Sequence, residues 1–268
     1  DYDVVWVRVA DLTRGTRKEV TYDIEVPGPH RFLANGVVSH NSTTASMLTT
    51  YVFHRLLKSP PLAKVATGIQ GSTQLTASFI ALTTTNSYNL LWKPVRDTMV
   101  ASAWYKDFFD FMDEKKRELG KEFYQFNPTG TYFRSFLKNI DAFPVGPSKR
   151  ILRGPTRVLA VTDELGHFPF NPNQAEEEEG EDERERANAD EVHMVLTNSL
   201  ATVRAEVMSL HEKGIYTYPQ GLNLSISSPA SWRDKVMRLY VEAQSSTDML
   251  GVRLPTWERS EEHTSELQ

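Results

Sequence analysis

The spacing of hydrophobic and polar positions changes once along this chain, and it changes abruptly. Up to about residue 40, short apolar stretches alternate with polar residues: Val4 to Val9, Glu19 to Val26, and Phe32 to His40 with a break at Asn35-Gly36. A two-residue period puts successive side chains on opposite faces of a strand, so residues 1–41 are expected to be all-β. Arg14-Gly15 turns the first stretch onto the second, and Asn35-Gly36 is a tight-turn pair. From Thr43 to Leu57 the apolar residues follow helical spacing, and Lys58-Ser59-Pro60-Pro61 stops the helix. Further on, Ala77 to Thr83, Val158 to Val161 and Leu222 to Ser227 predict strands. Between and after them come a loop at Thr84-Thr85-Asn86, a helix from Leu90 to Val100, and a helix from Trp232 to about Ala243. Alternation of this kind predicts a mainly parallel sheet with functional loops at the C-terminal ends of its strands.

Composition narrows the classes. A chain of 268 residues with 40% hydrophobic content holds one large or two medium domains around a real core. No apolar run approaches the ~20 residues needed to span a bilayer, and the stretch from Asp1 does not read as a basic and apolar leader. With no cysteine, any nucleophile must be a hydroxyl or an amide, and thiolate metal sites and disulfides are excluded. The net charge of −5 argues against a dominant DNA-binding surface, although much of the acid lies between Glu176 and Glu185. The chain opens at Asp1 within an apolar stretch and is expected to be a fragment. Residues 259–268, RSEEHTSELQ, match what a common sequencing-adapter oligonucleotide encodes and are set aside as an artefact or a frayed tail.

The change of period falls at His40-Asn41-Ser42. An asparagine amide can attack its own backbone carbonyl, closing a succinimide and breaking the next peptide bond. A preceding histidine can donate a hydrogen bond to the scissile carbonyl, and a following hydroxyl is a nucleophile for acyl transfer. With the longer stretch YDIEVPGPHRFLANGVVSHNS, Tyr22 to Ser42, the segment resembles the C-terminal splicing region of inteins. The resemblance implies that Asp23 assists the acyl shifts, His30 helps activate the asparagine, His40 polarises the scissile bond, Asn41 cyclises and Ser42 accepts the acyl group. It also implies a partner, the N-terminal intein and extein portion, which carries the first nucleophile.

A helix opening on Ser42-Thr43 also has the form of the end of a phosphate-binding loop. Such a loop ends in Gly-Lys-Ser/Thr and opens into a helix whose N–H groups hold phosphates while the hydroxyl ligates Mg²⁺. Were the upstream sequence to end in Gly-Lys, Ser42 and Thr43 would complete that loop. Downstream, Val158 to Val161 runs into Asp163-Glu164, the form of a Walker B motif, in which the Asp holds the Mg²⁺ shell and the Glu deprotonates the attacking water.

On the stretches FIALTTTNSYNLLWKPV, LRGPTRVLAVTDELGHF and GLNLSISSP, residues 42–258 resemble the ATPase domain of the large subunit of phage terminases, motors that package DNA. The fold expected is thus an α/β P-loop NTPase-like domain with a mainly parallel sheet, preceded by an incomplete all-β intein fragment of the HINT type. The resemblance implies ATP and Mg²⁺, and as partners double-stranded phage DNA, the portal and small terminase subunit, and further copies of the chain as a homo-oligomer. It implies a site of action in the cytoplasm of an infected bacterial host. Ser227 and Ser228 correspond to the family's coupling motif, or else form an ordinary Ser-Pro turn. The alternative function is a fragment of another P-loop ATPase or helicase-like motor with no splicing.

Three features are read as structural. Lys149, Arg150, Arg153 and Arg157 are taken as solvated loop charge, with contact to phosphate as the alternative. Glu176 to Arg186 self-repels and reads as an insertion. His167, His193 and His211 have no shared spacing and are read as packing residues.

Overall fold

The change from strand to helix falls between Ser39 and Asn41. In the computed structural model, which describes residues 32–34, 37–39, 41–126, 130–168, 187–227 and 234–251, β1 (Phe32–Ala34) pairs antiparallel with β2 (Val37–Ser39). Ala34 faces Val37, the register of a two-residue hairpin loop. The predicted strands at Val4 to Val9 and Glu19 to Val26, the Asn35-Gly36 turn itself and the acidic run Glu176 to Arg186 lie outside the described residues. Helix α1 (Asn41–Lys58) follows at once and starts two residues before the predicted Thr43, taking in Asn41 and Ser42. It ends where expected, with Ser59 donating from its backbone N–H (3.1 Å) and its Oγ (2.7 Å) to the Arg55 carbonyl before Pro60.

After the single turn α2 (Leu62–Val65) comes β3 (Leu75–Ile80), all six residues of which are buried. The loop predicted at Thr84-Thr85-Asn86 is instead helical. Thr84–Asn86 forms α3, which runs through a π-helical turn, Ser87–Trp92, into α4 (Lys93–Ala101). Hydroxyls that signal a turn serve here as caps: Thr83 Oγ1 accepts from the Asn86 N–H at 3.1 Å. The fully buried Ser87 accepts from the Ala81 N–H and donates to the Val145 carbonyl, both at 2.7 Å, tying the helix start to two strand ends.

Helix α5 (Ala103–Leu119) is closed by Gly120 at φ 64°, a left-handed position that suits glycine. Three strands follow, β4 (Tyr124–Phe126), β5 (Phe133–Ser135) and β6 (Ile140–Val145), then α6 (Lys149–Leu152) and β7 (Thr156–Asp163). A 3₁₀ turn (Leu165–His167), α7 (Ala189–Glu212), β8 (Leu222–Ile226) and α8 (Lys235–Ala243) complete the described chain.

The six strands form one sheet in the order β4-β5-β6-β3-β7-β8. β6, β3, β7 and β8 are parallel, and β5 and β4 extend the sheet antiparallel. The protein is therefore an α/β fold with a mostly parallel sheet, as predicted. Strands β3 and β7, central in the order, are the continuously buried ones, all of β3 and all of β7 after Thr156, as expected of strands covered on both faces. Leu75, Ala77 and Phe79 of β3 pack with Phe53, Leu56, Trp92 and Val95 in one core; Ile80, Ala160, Leu196 and Leu200 share a second.

Helix α1 packs on β8, and its C-terminal Arg55 donates to the carbonyls of Tyr216 (2.6 Å) and Thr217 (2.9 Å), which precede that strand. The helix therefore runs antiparallel to β8. Its first turn points toward the edge of the sheet where the parallel strands end, a consequence of direction and of a length of about 27 Å for 18 residues.

The basic cluster divides. Arg150 and Arg153 are exposed, as read from the sequence, and Lys149 pairs with Glu191 at 3.2 Å. Arg157 is not loop charge: it is 1% exposed, donating from Nε to Ser78 Oγ (2.9 Å) and from Nη1 to the Leu152 carbonyl (2.8 Å). Burial pulls its pKa down to about 10, yet the guanidinium stays charged and ties α6 to β3. Among the described residues no helix is long and apolar enough to cross a membrane.

Candidate functional site

Strand β7 delivers its last residue, Asp163, to the C-terminal edge of the sheet at 6% exposure. Glu164 then turns the chain in the left-handed conformation, φ 56° and ψ 37°. A non-glycine residue held there costs about 1 kcal/mol and persists only where neighbours enforce it. The neighbours come from β8: the Glu164 N–H donates to the Ile226 carbonyl at 2.8 Å, and the Gly166 N–H donates to Ser227 Oγ at 3.0 Å. The end of β8 thus clamps the turn that carries the acid pair.

Burial first, and the adjacent Glu164 carboxylate second, push the Asp163 pKa up to about 6, against the opposing pull of the Glu164 backbone N–H. Glu164 Oε2 is buried and accepts no well-aligned hydrogen bond, although His167 Nε2 lies 3.1 Å from it. Thr162 Oγ1, one residue before the pair, is also buried without a hydrogen-bond partner. A desolvated carboxylate beside a second one is a costly arrangement of the kind that collects at functional sites, and its hard oxygen donors suit Mg²⁺.

The other predicted residues divide between placed and undescribed. Ser227 lies at the site through its bond to Gly166. Asn41, Ser42 and Thr43 open α1, whose first turn points to the same edge. Asp23, His30, His40 and Ser228 lie outside the described residues. His211 Nε2 sits 3.2 Å from the Tyr218 carbonyl, and half-buried His193 has a pKa lowered chiefly by burial, so both fit the packing reading. His167 does not, since it faces Glu164; the signal was a Glu-x-x-His spacing across a tight turn. A groove of about 650 Å³ lies elsewhere, against β5 and β6, lined by Tyr88, Tyr132, Arg134 and Asp141 among others, and contains neither Asp163 nor Glu164.

A scan against protein-family models and searches of curated proteins and of solved structures find no match to the chain.

The strained electrostatics make a stability prediction. Because the folded-state pKa of Asp163 lies above its ordinary 3.8, this group favours folding most below about pH 4, and that advantage is lost as pH rises through about 6. Above that, the folded chain bears a penalty of about 3 kcal/mol. Asp163→Asn keeps the shape and removes the charge, and is expected to raise the melting midpoint at pH 7.5, without Mg²⁺, by ~6–12 °C. Lowering the pH to 5 should narrow the gap between the two proteins. His54 and His193, whose pKa values burial lowers, affect both alike. Equal midpoints at pH 7.5 would contradict the assignment of Asp163 as a penalised carboxylate.

Proposed function

We propose that this chain is the junction of two proteins. Residues 1–41 are the C-terminal part of an intein, and residues 42–258 belong to the ATPase domain of a phage terminase large subunit that splicing restores. The observation that carries the ATPase half is the convergence on one sheet edge: the Asp163-Glu164 pair, clamped by Ser227, lies where the first turn of α1 points. A strand–phosphate loop–helix unit seats its strand beside the helix's neighbour in the sheet. Here that neighbour is β8, the last strand in the sheet order among the described residues, where an upstream host strand would join. Support for splicing lies in the sequence resemblance and in the position of the strand-to-helix change, between Ser39 and Asn41.

In this reading Asn41 cyclises, His40 steadies the scissile carbonyl, Asp23 and His30 assist, and Ser42 takes the acyl group. The Ser42 hydroxyl and the Asp163 carboxylate would then hold Mg²⁺, with Thr43 at the end of the phosphate loop. The ion would neutralise charge on the transferring phosphoryl group. Glu164 takes the proton of the attacking water as the water's oxygen bonds to the γ-phosphorus and the bond from that phosphorus to the leaving ADP breaks. Ser227, bonded to the turn that carries Glu164, is suited to couple the γ-phosphate to the acid pair, with Ser228 beside it in sequence. Double-stranded DNA, the portal, the small subunit and further copies of the chain are partners that the terminase resemblance brings, as is action in an infected bacterial cell.

The test is Mg²⁺-dependent binding and hydrolysis of ATP by the spliced product. Asp163→Asn, expected to stabilise the fold, should lose Mg²⁺-dependent nucleotide binding. A stabilised variant that still bound nucleotide only with Mg²⁺, and as tightly as before, would contradict the metal-holding role.

A further inference from the structure

The turn after β7 is closed without the help of the His167 side chain. Its backbone is fixed by Glu164 N–H to the Ile226 carbonyl (2.8 Å), Gly166 N–H to Ser227 Oγ (3.0 Å) and His167 N–H to the Glu164 carbonyl (2.9 Å). The imidazole is therefore not needed as a cap. It lies instead with Nε2 3.1 Å from Glu164 Oε2, and both side chains are partly open to solvent, at 44% and 38% exposure. Residues three apart eclipse one another in a 3₁₀ turn, which is how the Glu-x-x-His spacing becomes a contact.

We propose that His167 is a positioning residue for Glu164. This rests on the ATPase reading above and says how its general base is held. A glutamate has three side-chain torsions, and a base is effective only when one oxygen is kept within hydrogen-bond reach of the water. Nε2 lies 3.1 Å from Oε2 without the alignment of a hydrogen bond, and a small turn of the imidazole on nucleotide binding brings an N–H onto Oε2, fixing the carboxylate plane and leaving Oε1 for the water. A second carboxylate orients a catalytic imidazole by the same logic with the partners exchanged. The left-handed backbone at Glu164 serves this arrangement, because it sets the side chain at the start of the turn whose third residue is the histidine.

The test is steady-state ATP hydrolysis by the spliced product carrying His167→Ala, His167→Asn or His167→Gln, with Glu164→Gln as the reference. Glutamine can place an N–H where Nε2 lies, and asparagine is one methylene too short. Loss of about tenfold in kcat, with KM within about twofold, is expected for the Ala and Asn variants, and recovery to within about threefold of the parent for the Gln variant. In a Glu164→Gln background, His167→Ala should cause no further loss, because there is no base left to position. Unchanged kcat in the Asn variant, a loss confined to KM, or failure of glutamine to restore kcat would overturn the proposal. If Glu164→Gln abolishes turnover while the His167 variants behave as the parent, only this inference falls. If Glu164→Gln hydrolyses ATP normally, the ATPase reading falls and takes the inference with it.

Discussion

Glu164→Gln is expected to leave Mg²⁺-dependent ATP binding by the spliced product nearly intact while lowering turnover by about 10²–10⁴-fold. The amide keeps the size of the side chain and cannot take the proton of the attacking water. That loss corresponds to about 3–5 kcal/mol of barrier. Nucleotide binding should survive for an electrostatic reason as well. Burial is the larger cause of the raised Asp163 pKa and remains, but the like charge of Glu164 is the second cause and is removed. Asp163 therefore ionises at lower pH in the variant and is better able to hold a cation. Phosphate release and nucleotide titration on the same preparation separate the two effects. Turnover at the parental rate would refute the role given to Glu164.

Asn41→Ala is expected to abolish cleavage of the bond to Ser42 when the chain is paired with a compatible N-terminal intein half, because alanine has no amide to cyclise. His40→Ala should slow the reaction without stopping it, since one oxyanion donor is worth ~3–4 kcal/mol at most. The scissile bond joins the first two residues of α1, so cleavage leaves Ser42 to Lys58 available as one continuous helix. A helix's first N–H groups have no internal partner, so little helical hydrogen bonding is lost by a break at this point. Mass spectrometry that found a product beginning at Ser42 in the Asn41→Ala protein would sink the splicing reading.

The parts of the fold legible in the sequence were those with one strong local signal. Helix α1 was bounded by Pro60-Pro61, and β7 and β8 were continuous apolar or alternating runs ending in short polar residues. Strands β4, β5 and β6 were not legible because β4 and β5 are three residues each, too short to show a period, and β6 contains Pro144, which argues against a strand. Helix α7 went unassigned although Asn188 and Glu191 form a capping box at its start, a signal overshadowed by the neighbouring acidic run. The burial of Arg157 has no local signal, because a charged residue near other charges looks solvated. Its burial depends on Ser78, a hydroxyl 79 positions away in sequence that no local pattern could supply.

At the site, Asp163 and Glu164 were legible as a strand ending in acids. The left-handed turn at Glu164 was not, because it is imposed by the end of β8, which arrives 62 residues later at Ile226. The approach of His167 to Glu164 was not legible for a similar reason, since it depends on that turn being 3₁₀ rather than on any shared spacing among the histidines.

The central claim is that Ser42 is the residue at which a phosphate loop is rejoined. The most direct measurement is peptide mapping by mass spectrometry across residue 42, after the chain has reacted with an N-terminal half carrying the upstream host sequence. The account predicts a joined peptide in which Ser42 follows a Gly-Lys pair, together with a released fragment ending in the Asn41 succinimide. Recovery only of peptides in which His40, Asn41 and Ser42 remain contiguous would contradict it.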